Sequence, residues 1–305
     1  MKKILVALSL LFWTSACSAP SIFSLTPTPT AYIYPTAETP LVPALTVDSL
    51  GNAEYILPGF DNALYAYQFS GGKFSRGSDS SAAGYASLSL LDFYAFGDLN
   101  NDGVDDAAVI IAENYGGTGV FVSVNAVLNE GGLPHHVASY MIDDRPQIKA
   151  LDIRDGEIFL EAVVHGFDDP ACCPEQAVTR SFKLIGVSLT LVRATSYLSS
   201  GQERAITIES PMDGEQASGS LVINGSVTIA PFENTLSFRV YNEQGNELFA
   251  GPIMVNAPDF GAAGTFSATL DLSALPPGRV RFVIADLSAA DGSVLALDSV
   301  EVVVK

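Results

Sequence analysis

Apolar residues alternate with other residues along much of the chain, and the alternation has the period of a β-strand. In the C-terminal third, Leu236, Phe238 and Val240 repeat at every second position. Strands of this kind bury one face, as in an antiparallel sandwich. Seven such segments occupy residues 206–305, with turn residues such as Asp291-Gly292 between them. This third of the chain is therefore predicted to form a seven-stranded immunoglobulin-like β-sandwich.

Residues 46–196 predict a second β-rich domain, separated from the first by a polar linker at residues 197–205. Its clearest element is a hairpin, with one apolar strand before the turn Asp155-Gly156 and another after it. The pattern leaves room for one or two short helices, for instance around residues 82–91. The predicted fold is mainly β, or α+β in the N-terminal domain if such helices form.

The N-terminus has the pattern of an export signal. Two lysines precede an apolar run that ends at Trp13, and small residues follow. The run is too short to span a bilayer. Residues 1–17 are therefore predicted to be a signal peptide, and the Thr/Pro-rich residues 18–45 to be an extended tether.

Cys17 follows Thr14-Ser15-Ala16, which resembles the lipobox of bacterial lipoproteins. In that family the cysteine carries a lipid and becomes the first mature residue. This chain departs from the family because Thr14 stands where leucine is usual. The resemblance implies an anchor in the membrane of the bacterial envelope; the alternative is ordinary signal cleavage near Cys17 or Ser18.

The formal net charge of −19 narrows the range of partners. An acidic surface repels phosphate backbones, so nucleic acid is an unsuitable partner. The acidic charge suits divalent cations or basic partners, and an envelope protein or a glycan is the partner expected at the predicted location.

The segments ITIESPMDGEQASGSLVINGSV, SFRVYNEQGNELFAG, GTFSATLDL and DGSVLALDSVEVVV carry a family resemblance. Together they resemble the immunoglobulin-like domain of bacterial spore germination proteins. The resemblance covers about a third of the chain and implies an extracytoplasmic sandwich for contacts or spacing, without catalytic residues. The N-terminal domain resembles a group of bacterial lipoproteins of no known activity, through FGDLNNDGVDDAAVIIAENYGGTGVFV, DDRPQIKALDIRDG and DDPACCPEQAVTR.

The stretch GDLNNDGVDDAA has the spacing of a calcium loop. Asp98, Asn100 and Asp102 offer side-chain oxygens, Val104 offers its carbonyl, and Asp106 completes the ring directly or through water. Position 12 is Val109 instead of the glutamate of an EF-hand, so the loop resembles the strand-loop-strand calcium loops of FG-GAP repeats and integrins. The prediction is a structural calcium site; the alternative is a polar turn.

Cys172 and Cys173 are adjacent, and an oxidising envelope favours a vicinal disulfide between them. Two free thiols, or redox or metal chemistry with His165, are the alternatives. His165 with Asp168 or Asp169 is a candidate acid/base pair. His135 and His136 are interpreted as a surface pair whose side chains point to opposite faces of a strand.

These observations favour an exported, lipid-anchored, non-enzymatic binding or structural module of the bacterial envelope. The sequence alone leaves open whether the protein is an enzyme. The alternative function is an envelope hydrolase or carbohydrate-acting enzyme with its site in residues 46–196. A redox or metal sensor built on Cys172-Cys173 is a third hypothesis.

Overall fold

The computed structural model describes residues 42–59 and 63–305, and the fold is mainly β, as predicted. The predicted signal peptide, Cys17 and most of the tether lie outside the described residues. One α-helix, α1 (Val47–Gly51), precedes the strands. None of the described helices has the length and apolarity that crossing a membrane requires. The first eleven strands are β1 (Glu54–Pro58), β2 (Leu64–Gln68), β3 (Lys73–Arg76), β4 (Ala86–Gly97), β5 (Asp106–Asn114), β6 (Phe121–Glu130), β7 (Leu133–Asp144), β8 (Gln147–Arg154), β9 (Glu157–Val164), β10 (Gln176–Ile185) and β11 (Ser188–Tyr197).

The N-terminal region is a sandwich of two antiparallel sheets. One sheet has the order β3-β4-β5-β6-β7, and the facing layer consists of β8, β9, β10 and β11. Alternate residues of both sheets meet in one core, which includes Ile110, Val124, Leu160 and Phe182. The predicted hairpin is confirmed, since Arg154 pairs with Glu157 around the Asp155-Gly156 turn.

A third layer covers the outer face of the five-stranded sheet. Helix α1 and the β1–β2 hairpin place Leu50, Tyr55 and Tyr67 against Val109 and other buried residues of that sheet. The helix begins at a capping box formed by Thr46 and Ser49. The helix suggested around residues 82–91 is not formed, because that stretch enters β4, whose pairing with β5 buries Ala86 and Leu88.

All seven strands predicted in the C-terminal third are present, and two short strands add to them, one of two residues in the predicted linker and one of three residues. The strands are β12 (Glu203–Arg204), β13 (Ile206–Ser210), β14 (Glu215–Ala217), β15 (Ser220–Val227), β16 (Thr235–Asn242), β17 (Glu247–Asn256), β18 (Gly264–Asp271), β19 (Gly278–Leu287) and β20 (Val294–Val304). β13, β15, β18 and the end of β17 form one sheet, and β16, β19 and β20 form the other. β14 pairs in parallel with β20. The core between the sheets contains Phe238, Phe282 and Val302.

The two sandwiches share a continuous sheet. β11 of the N-terminal sandwich pairs with β20 through Ala194 and Leu297. Both residues belong to a small buried cluster that also contains Val283 and Ala285. Residues 42–305 consequently form one compact unit.

Candidate functional site

The predicted calcium loop leaves β4 at Gly97 and re-enters the sheet at Asp106. Asp98 organises the turn, because its Oδ1 accepts the backbone N–H groups of Asn101 at 2.6 Å and of Asn100 and Asp102 at 3.2 Å each. Its Oδ2 accepts the N–H of Gly103 at 2.8 Å. Burial raises the pKa of Asp98, but the four backbone donors outweigh that effect and hold the pKa below its usual value.

Asn100 and Asp102 lie in the same turn and contact each other. Asn100 Nδ2 donates to Asp102 Oδ2 at 2.9 Å, and Asp102 Oδ1 accepts the N–H of Val104 at 2.8 Å. The backbone reverses at Asn101 and Gly103, whose φ angles of 62° and 84° lie in the left-handed region. Glycine at position 103 adopts this conformation without steric cost, which is why the loop pattern requires it there.

Asp106 has a different role from the other predicted ligands. Its side chain is fully buried, and it accepts the N–H of Leu99 at 2.9 Å and that of Asn129 at 2.8 Å. Burial raises the pKa of Asp106, these two donors oppose the shift, and the charges of Asp102 and Asp98 add to it. The carboxylate therefore joins both ends of the loop to the β6–β7 turn.

Asn129 was not singled out by the sequence, yet it connects three segments. Its Nδ2 donates to Pro43 O at 2.9 Å and to Asp105 O at 3.3 Å, and its Oδ1 accepts the N–H of Gly132 at 2.7 Å. An Asn followed by Glu-Gly-Gly signals a turn, but nothing in the sequence links it to residues 43 and 105. The loop is thus fixed to the first described residues of the chain.

The predicted ligands are brought together in part. Asp98, Asn100 and Asp102 share one turn with the Val104 backbone, whereas the two oxygens of Asp106 face backbone N–H groups. Within residues 42–59 and 63–305, no group of three or more His, Cys, Asp or Glu side chains has an arrangement that would hold a metal ion. The predicted set relies on an amide and a carbonyl as well, so calcium binding stays a prediction.

A second polar cluster lies where β9 ends and β10 begins. His165 Nδ1 is 2.9 Å from Asp143 Oδ2, which also accepts the His165 N–H. His165 Nε2 is buried and has no hydrogen-bond partner among the described residues. The candidate partner Asp169 instead accepts the N–H groups of Gly166 and Glu175, so the structure assigns His165 to Asp143.

The loop after His165 contains Cys172 and Cys173, which are joined by a disulfide in the structure. Both residues are exposed, whereas the following Pro174 is buried. Phe167 in the same loop is 63% exposed. Oxidation of this pair in an oxidising envelope stays a prediction.

The interpretation of His135 and His136 as a surface pair is wrong for His136. The two side chains do point to opposite faces, and His135 is exposed beside Glu130. His136 is buried because its face of β7 lies under the β1–β2 hairpin. Ile56 N–H donates to its Nδ1 at 3.2 Å, which leaves Nε2 to donate to Asn125 Oδ1 at 3.1 Å.

His136 ends a buried chain of hydrogen bonds within the five-stranded sheet. Asn125 Nδ2 donates to Ser123 Oγ at 3.1 Å, Ser123 Oγ donates to Glu113 at 2.9 Å, and Tyr115 donates to Glu113 at 2.6 Å. Burial lowers the pKa of His136 to about 4 and raises the pKa of Glu113. The network fastens the hairpin to the sheet with neutral histidine.

Comparison with protein families supports the C-terminal prediction. Residues 205–293 match the family described as the immunoglobulin-like domain of bacterial spore germination. The resemblance predicted for the N-terminal region is not confirmed by a family match. A comparison with curated proteins gives no match.

Among solved structures, the chain aligns with the crystal structure of dimeric latent PorU from Porphyromonas gingivalis. The identity is 11%, the TM-score is 0.23, and the alignment covers 74% of this chain and 30% of that chain.

Proposed function

We propose that this chain is a non-enzymatic binding module of the bacterial envelope, anchored by lipid at Cys17 and lifted from the membrane by residues 18–45. The immunoglobulin-like domain supports a role in contacts or spacing. The signal and lipobox resemblances support export and anchoring. Envelope proteins and glycans are the proposed partners.

The observation that carries the proposal is the junction between the two sandwiches. Besides the Ala194–Leu297 pair, Lys183 bonds to Glu301 at 3.1 Å and Ser299 Oγ donates to Val192 O at 2.8 Å. A shared sheet with these polar contacts beside the pair holds the two domains in one orientation. A module built this way presents a fixed composite surface to a partner instead of two independently moving domains.

Export and anchoring are tested by expressing the full chain in a bacterial host that processes lipoproteins, with an alkyne fatty acid as label. Wild type is expected in the membrane fraction with the label attached. Cys17→Ala is expected to lose the label and enter the soluble fraction, while the control Ser18→Ala keeps both properties. Label retained by Cys17→Ala contradicts the anchor, and a defined turnover by the purified chain contradicts the non-enzymatic role.

We also propose that the loop from Asp98 to Asp106 binds calcium and that the ion has a structural role. Calcium takes oxygen ligands at about 2.3–2.6 Å, and side chains at positions 98, 100 and 102 offer them within one turn. An ion there offsets the repulsion between Asp98, Asp102 and the buried Asp106. Because Asp106 holds Leu99 and Asn129, the ion stabilises the loop against both β6 and the start of the described chain.

One observation favours the alternative of an envelope hydrolase. Asp143 orients His165 through Nδ1, and Nε2, which has no hydrogen-bond partner among the described residues, is the nitrogen left for a general base to use. The test is turnover of polysaccharide and ester substrates by the purified chain. Activity lost in His165→Gln but kept in His135→Gln supports this alternative, and no turnover in wild type rejects it.

A further inference from the structure

A groove lies at the junction of the two sandwiches. It has a volume of about 640 Å³. Its lining comes from the turn between β10 and β11, the β16–β17 turn, the start of β19 and Asn101 of the predicted calcium loop. Binding pockets commonly have volumes of roughly 300–1,000 Å³ and occur preferentially at domain interfaces.

Three cationic side chains line this groove in a chain whose net charge is −19. Two of them share a single carboxylate. Lys183 Nζ lies 3.1 Å from Glu301 Oε1, and Arg279 Nη1 lies 2.7 Å from Glu301 Oε2. Both oxygens of Glu301 are therefore occupied by other cations, although Glu301 is the residue paired directly opposite Arg281 on β20.

Arg281 is the third cation. Its guanidinium lies 5.1 Å from the centre of the Tyr241 ring. No carboxylate of the described residues lies within 4.0 Å of its nitrogens. The side chain is half-buried, and burial lowers its pKa, but arginine stays charged in proteins. A guanidinium held against a ring, with its fork unpaired, is suited to bidentate binding of a carboxylate or phosphate.

The rest of the lining offers neutral hydrogen-bonding groups. Asn101, Gln244, Ser188 and Thr190 contribute amides and hydroxyls, the groups that bind sugar hydroxyls. We propose that the junction groove binds a carbohydrate carrying a carboxylate or phosphate group, with Arg281 as the anion-binding residue. The inference deepens the proposed function, because it names the ligand class of the module and rests on that function for the envelope source of the ligand.

The acidic residues near the groove determine how strongly a charged sugar is expected to bind. Glu243 also lines the groove, and the whole chain repels anions, so binding of a monosaccharide is expected to be weak and to fall with added salt. Selectivity for charged over neutral sugars should come from the unpaired guanidinium group of Arg281. A neutral sugar of the same size lacks the group that Arg281 binds.

The test is an NMR titration of the isotope-labelled full chain carrying Cys17→Ser, with glucose 6-phosphate, glucuronate, inorganic phosphate and glucose as probes. Amide signals around Arg281, Tyr241 and Thr190 are expected to shift with at least one charged sugar and to shift much less with glucose. The two charged sugars distinguish a phosphate from a carboxylate ligand. Shifts with inorganic phosphate as strong as those with both charged sugars would contradict a carbohydrate site.

Arg281→Met is expected to weaken binding about tenfold, the loss of one charge-assisted hydrogen-bonded contact. Arg154→Met is the matched control, because Arg154 also lies over an aromatic ring, at 4.2 Å from Phe159, but outside the groove. Arg281→Lys keeps the charge and loses the fork, so it should retain only part of the affinity if folding is intact. The proposal is overturned if no probe shifts the groove signals, or if Arg281→Met and Arg154→Met bind alike. Neither outcome affects the test of the Cys17 anchor.

Discussion

The carboxylate of Asp106 accepts the backbone N–H of Asn129 at 2.8 Å across 23 positions of sequence. The Asn129 side chain in turn donates to Pro43 O at 2.9 Å. The loop that resembles a calcium site is therefore connected to Pro43, at the start of the described residues. Both residues that make this connection are buried.

Removing the Asp106 carboxylate leaves two buried N–H groups without acceptors. Asp106→Ala is expected to lower the free energy of unfolding by about 3 kcal/mol, because bonds to charged acceptors contribute roughly 1.5–3 kcal/mol each and partial relaxation recovers some of the loss. Urea unfolding in the presence of chelator measures this without any contribution from calcium. The adjacent Asp105 is exposed, so Asp105→Ala should cost less than about 0.5 kcal/mol. Equal losses of unfolding free energy in the two variants would contradict the stabilising role given to the buried hydrogen bonds of Asp106.

Calcium is expected to raise the melting temperature of wild type relative to chelator. Binding to the native state alone stabilises by about 2.7 kcal/mol at a hundredfold excess over Kd. The double variant Asp98→Ala plus Asp102→Ala should show no calcium-dependent shift. Retention of the shift in that variant would place the ion elsewhere, and the absence of any shift in wild type would leave the loop as a polar turn.

Acid is expected to destabilise the fold through His136. Its folded pKa of about 4 lies below the ordinary histidine value of 6.5, so the unfolded chain binds the proton first as the pH falls. The stabilisation is full above pH 6.5 and is lost between there and about pH 4, at 1.36 kcal/mol per unit, which totals about 3 kcal/mol. The pKa of Glu113 is raised, so its protonation favours the folded state and opposes part of this loss.

Urea unfolding as a function of pH measures the effect. His136→Gln, which keeps one donor and one acceptor, should flatten the slope between pH 6.5 and 4. His135→Gln is the control, because the neighbouring ring is exposed and should leave the slope unchanged. An unchanged slope in His136→Gln would rule out His136 as the titrating group.

A buried ion pair joins the linker to the immunoglobulin-like domain. Arg204 Nη1 lies 3.1 Å from Asp286 Oδ2, and the Asp286 side chain is 4% exposed. Arg204→Met leaves this carboxylate unpaired and is expected to cost about 3 kcal/mol. Arg239→Met breaks the exposed pair with Glu247 and should cost less than about 1 kcal/mol. Thermal and urea unfolding of both variants provide the comparison; similar losses would contradict the role given to burial.

Local patterns were sufficient to predict the immunoglobulin-like strands. In β16, Leu236, Phe238 and Val240 alternate with polar residues, and all three face the core. The Asp155-Gly156 turn is predicted equally well, because its hairpin joins two strands that are adjacent in sequence. Both features depend on contacts close in sequence, where spacing alone determines which face is buried.

The features that the sequence did not reveal depend on distant pairings. Which face of β7 is buried depends on a hairpin about 80 residues upstream, as the bond from Ile56 to His136 shows. No local pattern links Asp143 to His165, because their contact spans 22 positions. The sequence predicts only a polar linker at residues 197–205, because the pairing of Ala194 with Leu297 leaves no local signature.

The most direct test of the rigid two-domain module is differential scanning calorimetry of the full chain with Cys17→Ser as its only substitution, which serves as the wild-type reference. A continuous sheet with a buried ion pair at the junction predicts one unfolding transition, with calorimetric and van't Hoff enthalpies equal. Arg204→Met should broaden or split that transition, whereas Arg239→Met should leave it single. Two separate transitions in wild type would contradict the account, because they would show that the two sandwiches unfold as independent domains.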